Sequence, residues 1–112
     1  MSKLSDKQMK FSSMTILLFQ YIGMVGMKWT YGDAYRDPRC SYGSERSLHR
    51  ERLAIDINLF KSHSSPAGVS YTYLTKTEDY KVVGEFWESI GGTWGGRFSD
   101  GNHFSLEHEG RK

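Results

Sequence analysis

The run from Leu53 to Phe60 constrains this chain most. Leu53, Ile55, Ile57 and Leu59 alternate with Ala54, Asp56, Asn58 and Phe60. A period of two puts one set of side chains on each face of a β-strand. A helix would set Asp56 beside Leu53 and Leu59, where an unpaired carboxylate is costly, and the β-branched content also favours the strand. The chain must therefore build a sheet with an aliphatic face to cover and a second face that carries Asp56.

Other segments supply the cover. Residues 5 to 25 predict an amphipathic helix. Ser5 and Gln8 stand at capping-box spacing, Phe11, Met14, Leu18, Tyr21 and Val25 recur every three or four residues, and Gly23 and Gly26 mark its end. Residues 27–35, with Trp29, Tyr31 and Tyr35, read as a short strand. Asp37-Pro38 opens a turn, and residues 38–52, dense in Ser, Gly and Arg, read as a loop. Residues 61–74, broken by Ser62, Ser64, Ser65, Pro66 and Gly68, read as an exposed excursion. A second helix follows, capped by Thr75 and Glu78, with Tyr80, Val83, Trp87 and Ile90 as its stripe and Gly91 as its stop. Gly92 to Gly96 reads as a tight turn around Trp94, and residues 103–107 as a last strand with Phe104 and Leu106 on one face. The fold class is α+β, a small antiparallel sheet with flanking helices, in one domain spanning residues 1–112.

Composition limits the function classes. At 112 residues there is room for one core. A hydrophobic fraction of 38% with 25% charged residues places the chain among globular proteins rather than disordered ones. The net charge of +2 is spread among matching acids, which argues against nucleic acid as a partner. A single cysteine, Cys40, excludes an intramolecular disulfide and a cysteine-based zinc site; it reads as a partly buried side chain in a reducing cytosol. The apolar stretch 16–27 falls short of the ~20 residues of a spanning helix and lacks the order of a secretory leader. Synthesis in the cytoplasm, without membrane insertion, is the expectation.

The chemistry-bearing residues are few. His49 and Asp56 form an H-x6-D pair, and Asp100 precedes His103 by three residues. On alternation, Asp56 and His103 each lie on the less apolar face of a short strand. If those strands are antiparallel neighbours, both side chains project to one side, and His49 can fold back over them from the preceding loop. Two imidazoles and a carboxylate suffice for a catalytic zinc, one per chain, with its fourth position kept for water. Asp100 is then placed to move protons, and Arg36, whose charge is permanent, to stabilise an oxyanion. Trp87 and Trp94 read as core anchors, His63 and His108 as bystanders, and Arg46, Arg50 and Arg52 as solvated loop charges. No H-E-x-x-H or Pro-Cys-x-x-Cys segment supports a helix-based metalloprotease or a zinc deaminase.

Three segments carry a family likeness: Ser47-Leu48-His49-Arg50-Glu51-Arg52-Leu53-Ala54-Ile55-Asp56, Trp94-Gly95-Gly96, and Asp100-Gly101-Asn102-His103-Phe104. Together they resemble the D-alanyl-D-alanine carboxypeptidase/VanY/VanX group of zinc peptidases, and above all its phage L-alanyl-D-glutamate endopeptidases. Asp33-Ala34-Tyr35-Arg36-Asp37-Pro38 is similar to the segment that bears the group's active-site arginine. The resemblance implies a Hedgehog/DD-peptidase-like fold. It implies His49, Asp56 and His103 as zinc ligands, Asp100 as general base and acid, Arg36 as transition-state stabiliser, and Ser47 at the substrate. It further implies peptidoglycan stem peptides as substrate and a monomeric phage or prophage endolysin that reaches the wall after release. Two positions depart from the pattern S-x-H-x-x-G-x-A-x-D and its usual base: Arg52 stands where the group has Gly, and Asp100 where many members have Glu. Two alternatives remain open: a D-Ala-D-Ala-type carboxypeptidase, and a non-catalytic module that holds zinc in the same fold.

Overall fold

The alternating run opens the longest strand of the sheet. The computed structural model describes residues 3–37, 39 and 47–112, and within them five strands and two helices form an α+β fold. The elements are α1 (Leu4–Met24), β1 (Met27–Tyr31), β2 (Ala54–Ser65), β3 (Gly68–Tyr73), α2 (Lys81–Ser89), β4 (Thr93–Trp94) and β5 (His103–Ser105), with 3₁₀ turns at Leu48–Glu51, Thr77–Tyr80 and Gly95–Phe98. All strand pairs are antiparallel, in the order β1-β2-β5-β4, and β3 pairs with the outer half of β2. No helix among the described residues is long and apolar enough to cross a membrane.

The aliphatic face of β2 is sealed. Leu53, Ile57 and Leu59 are fully buried, with Leu18 and Ile22 of α1, Val83 and Trp87 of α2, and Phe104 of β5. Burying a Leu or Ile side chain stabilises a fold by about 1.5–3 kcal/mol, so this cluster supplies most of the drive to dock both helices. Two tryptophans also serve as polar pins: Trp87 Nε1–H donates to the Ser105 carbonyl at 2.9 Å, and Trp94 Nε1–H to the Gly101 carbonyl at 2.7 Å.

Several local expectations are corrected. Helix α1 begins two residues earlier, with Lys3 as N-cap and its N–H donating to Asp6 at 3.4 Å, so Ser5 and Gln8 lie inside the helix. Ile22 completes the buried stripe; Tyr21 instead stacks on Phe86, and Val25 is an exposed C-cap, because the helix turns 100° per residue and 22 falls under 18. Strand β1 ends at Tyr31 rather than at residue 35. Residues 61–74 are no excursion: β2 runs on to Ser65 and returns through β3 as a hairpin. Nothing covers this hairpin, so its β-forming residues lack the apolar alternation that reveals a half-buried strand. The cap lies on the 3₁₀ turn that precedes the second helix, where Lys76 N–H donates to Asp79, not on Thr75 and Glu78; α2 itself starts after Tyr80 with no side-chain cap. The segment 92–96 splits into β4 and the start of another 3₁₀ turn. Loop 38–52 contains the 3₁₀ turn Leu48–Glu51, whereas Pro38, Cys40 and Arg46 lie outside the described residues.

Candidate metal centre

Register brings the predicted donors together. Asp56 and His103 are direct partners across the β2–β5 ladder, so their side chains leave the sheet on the same side. Asp56 is held from both directions: its N–H donates to the Asp33 carbonyl at 2.8 Å, and its carbonyl accepts the Gly32 N–H at 2.7 Å. His49 arrives on the 3₁₀ turn, whose N-cap is Ser47; the Ser47 hydroxyl accepts the His49 N–H at 3.2 Å. Ser47 is thus engaged in shaping the turn that buries His49.

The donor atoms converge. Asp56 Oδ1 lies 3.2 Å from His49 Nε2 and 3.6 Å from His103 Nδ1, and one atom from each residue lies within 4.8 Å of the others. Ligands at ~2.0–2.2 Å from a tetrahedral ion are ~3.3–3.6 Å apart, close to the two distances from Asp56 Oδ1. Asp56 Oδ1 is buried and has no hydrogen-bond partner among the described residues. Both histidines are buried, at 3% and 7% exposure. Burial opposes ionisation of Asp56, but the facing His103 and His49 imidazoles outweigh it and hold the carboxyl at about 2. Burial likewise opposes protonation of His103, and Asp56, the Lys112 carbonyl and Asp100 together raise its pKa.

The two imidazoles are supported differently. His103 Nε2 is 3.0 Å from the Lys112 carbonyl, which also accepts the Ser105 hydroxyl at 2.8 Å. An N–H at Nε2 leaves Nδ1 as the free lone pair toward Asp56, the support that ligand histidines commonly receive. The segment that delivers this carbonyl is closed by a His108–Arg111 bridge and tied to Glu51 by Arg111 at 3.5 Å. Sequence reading missed Lys112 and Ser105, because a main-chain acceptor leaves no residue-type signature. His49 Nδ1 has no hydrogen-bond partner among the described residues and relies on packing.

Asp100 stands beside the cluster, outside it. Its Oδ2 is 3.9 Å from His103 Nδ1, its side chain is half exposed, and it borders a polar cavity of about 220 Å³ with Tyr73, Thr77 and Asn102. Gly95 keeps this turn close: the Asp100 N–H donates to the Gly95 carbonyl at 2.8 Å, and a Cβ at Gly95 would collide with the Asp100 carbonyl and His103 Cβ. Arg36 is tied in through its main chain, which donates to the His49 carbonyl at 3.0 Å; its largely buried guanidinium pairs with Asp33 at 3.3 Å. Arg50 is not a solvated charge, since it donates to the Asp37 carbonyl at 3.2 Å. A cavity of about 350 Å³ between Phe11, Phe19, Tyr35 and Arg52 includes none of the cluster residues.

A buried His-Asp-His set with a half-exposed carboxylate alongside has the layout of a metallohydrolase centre. The family model described as D-alanyl-D-alanine carboxypeptidase matches residues 41–106, well over half of the chain, and the chain belongs to that peptidase family. The match spans His49, Asp56, Asp100 and His103 but not Arg36. No curated protein matches the chain.

Proposed function

We propose that this chain is a zinc-dependent peptidoglycan peptidase, with His49, Asp56 and His103 as ligands to one ion, and that it cuts stem peptides at the L-alanyl-D-glutamate bond. The observation that carries the reading is the convergence of Asp56 Oδ1, His49 Nε2 and His103 Nδ1 at tetrahedral spacing inside a chain of this peptidase family. Zinc, when bound, supplies a polarised water at neutral pH and draws electron density from the peptide carbonyl. Asp100 accepts the proton of the attacking water and returns it to the leaving amine; its exposure to the polar cavity supports that role. Arg36 stabilises the negative charge that develops on the carbonyl oxygen, with Asp33 fixing its guanidinium until substrate arrives. Ser47 serves the substrate side indirectly, by shaping the turn beneath His49.

The choice of bond rests on the likeness of Asp100-Gly101-Asn102-His103 to the endopeptidase branch. The description of the family favours a second reading, removal of a terminal D-alanine. In the first reading the chain is made in the cytoplasm, acts as a monomer, and meets the wall after release during phage or prophage lysis. Incubating purified Gram-negative sacculi with the protein, with and without a zinc chelator, tests both. Chelator-sensitive release of fragments with a new D-glutamate amine supports the endopeptidase, and release of free D-alanine supports the carboxypeptidase. Intact muropeptides from folded, zinc-loaded protein would remove the enzyme reading in favour of a zinc-holding module.

A further inference from the structure

The face of β2 that carries Asp56 does not end at the metal centre. Along the same face follow Asn58, Phe60 and Ser62, and their cross-strand partners are Thr30 and Lys28 of β1 and Tyr73 and Tyr71 of β3. Directly opposed residues in an antiparallel pair share a face. Phe60 and Tyr73 are in ring contact, with centroids 5.2 Å apart, and Tyr71 and Tyr73 are 58% and 50% exposed. A hollow of about 320 Å³ opens between Lys28, Thr30, Phe60 and Tyr71. Tyr73, in ring contact with Phe60 at the edge of this hollow, also borders the polar cavity of Asp100. Its hydroxyl donates to Asn58 Oδ1 at 3.3 Å, which also accepts from Asn102, the neighbour of His103. The track is therefore continuous with the candidate active site.

Its chemistry selects an occupant. Beyond Asp56 the described residues of this face offer aromatic rings and neutral hydroxyl and amide groups, with Lys28 as the one charge among them. A peptide stem with several carboxylates would find a single cation, Lys28, to share among them here. A chain of N-acetylated amino sugars fits: each pyranose has an apolar C–H face to lay on an aromatic ring, and hydroxyl and acetamido groups for neutral hydrogen bonds. We propose that this face binds the glycan strand of the substrate, with Phe60, Tyr71 and Tyr73 as stacking platform and Asn58 and Thr30 as its hydrogen-bonding rim. At ~3.3 Å per residue, Phe60 lies about 13 Å and Ser62 about 20 Å along β2 from Asp56. That reach suits a sugar joined to the amino end of the stem, and so a cut close to the glycan. The inference rests on the peptidase reading and extends it from the peptide to the sugar.

An NMR shift titration of the full chain with a peptide-free tetramer of β-1,4-linked N-acetylglucosamine tests the platform directly. Saturable shifts are expected at Phe60, Tyr71 and Tyr73, and Tyr71→Ala should weaken binding about tenfold, the scale of one lost ring contact. Tyr71 lies on the uncovered hairpin, so its removal leaves the core intact. The rate on sacculi relative to the rate on a soluble stem peptide should fall in the same variant. No saturable shift at millimolar tetramer, or shifts at these rings caused by the free stem peptide instead, would overturn the proposal. Tetramer binding at these rings by a chain that cleaves no wall peptide would keep the platform and remove the peptidase reading.

Discussion

Asp56 carries opposite consequences with and without an ion. In the metal-free chain its carboxyl is held at about 2, against an ordinary 3.8, so its contribution to stability is complete above the ordinary value and lost as pH falls toward 2. His103 has the reverse sign. Its pKa is raised above 6.5, so the charged pair with Asp56 stabilises the fold below that value and fades as pH rises through the raised one. Zinc needs the same nitrogen unprotonated. The rise in melting temperature on adding zinc should therefore be larger at about pH 8 than at about pH 5.5, as scanning calorimetry at both values would show. Asp100→Asn should retain zinc and lose at least ~10²-fold in turnover, and His103→Ala should lose both together, read by metal titration beside the sacculus assay. Arg52 explains its own departure from the family glycine. It sits at φ 57°, the left-handed cap of the turn bearing His49, with its guanidinium 4.0 Å over the Tyr35 ring. Arg52→Gly trades a cation–π contact for relaxed backbone, and the midpoint of urea unfolding should move by less than about 1 kcal/mol equivalent; Arg52→Ala keeps the strain, loses the ring, and should cost about 0.5–1 kcal/mol.

At the level of elements, legibility followed burial. The β2 face showed in the sequence because Leu53, Ile55, Ile57 and Leu59 have a core beneath them, and Asp56 and His103 followed from that alternation. Helix α1 was read from its stripe, with errors at its ends, where Lys3 caps it and Val25 is exposed, and at Tyr21, which stacks on Phe86. The β2–β3 hairpin was not legible: solvent covers both faces of its outer half, so no period of two in hydrophobicity marks it, and Ser65-Pro66-Ala67-Gly68 resembled any loop. Of the site, residue type, alternation and above all the family resemblance pointed to His49, Asp56 and His103, which the fold brings together, but their support was not legible. The segment Trp94-Gly95-Gly96 stood out by its likeness, but the close approach of Gly95 to Asp100 and His103 is a property of packing that its spacing does not reveal. Gly95→Ala must shift that turn, so zinc affinity should drop about 10–100-fold with the helices still folded, a split that metal titration and circular dichroism can read together.

Across the whole molecule the centre joins segments far apart in the chain. His49, Asp56 and His103 come from a turn, a central strand and the last strand, so an ion there ties the 48–51 turn to the sheet. Chelation should lower the melting temperature by an amount that depends on free zinc concentration, as linkage requires. The carbonyl of Lys112 extends this tie. It rests on the far nitrogen of His103 and on Ser105, while Arg111 reaches back to Glu51 beneath the turn of His49. Ordering the 107–112 segment and binding the ion thus draw on one pool of free energy, and each must raise the affinity of the other by the same factor. The segment becomes a reporter: its amide exchange should slow when the metal arrives, at a distance from any substrate and before a single bond is cut.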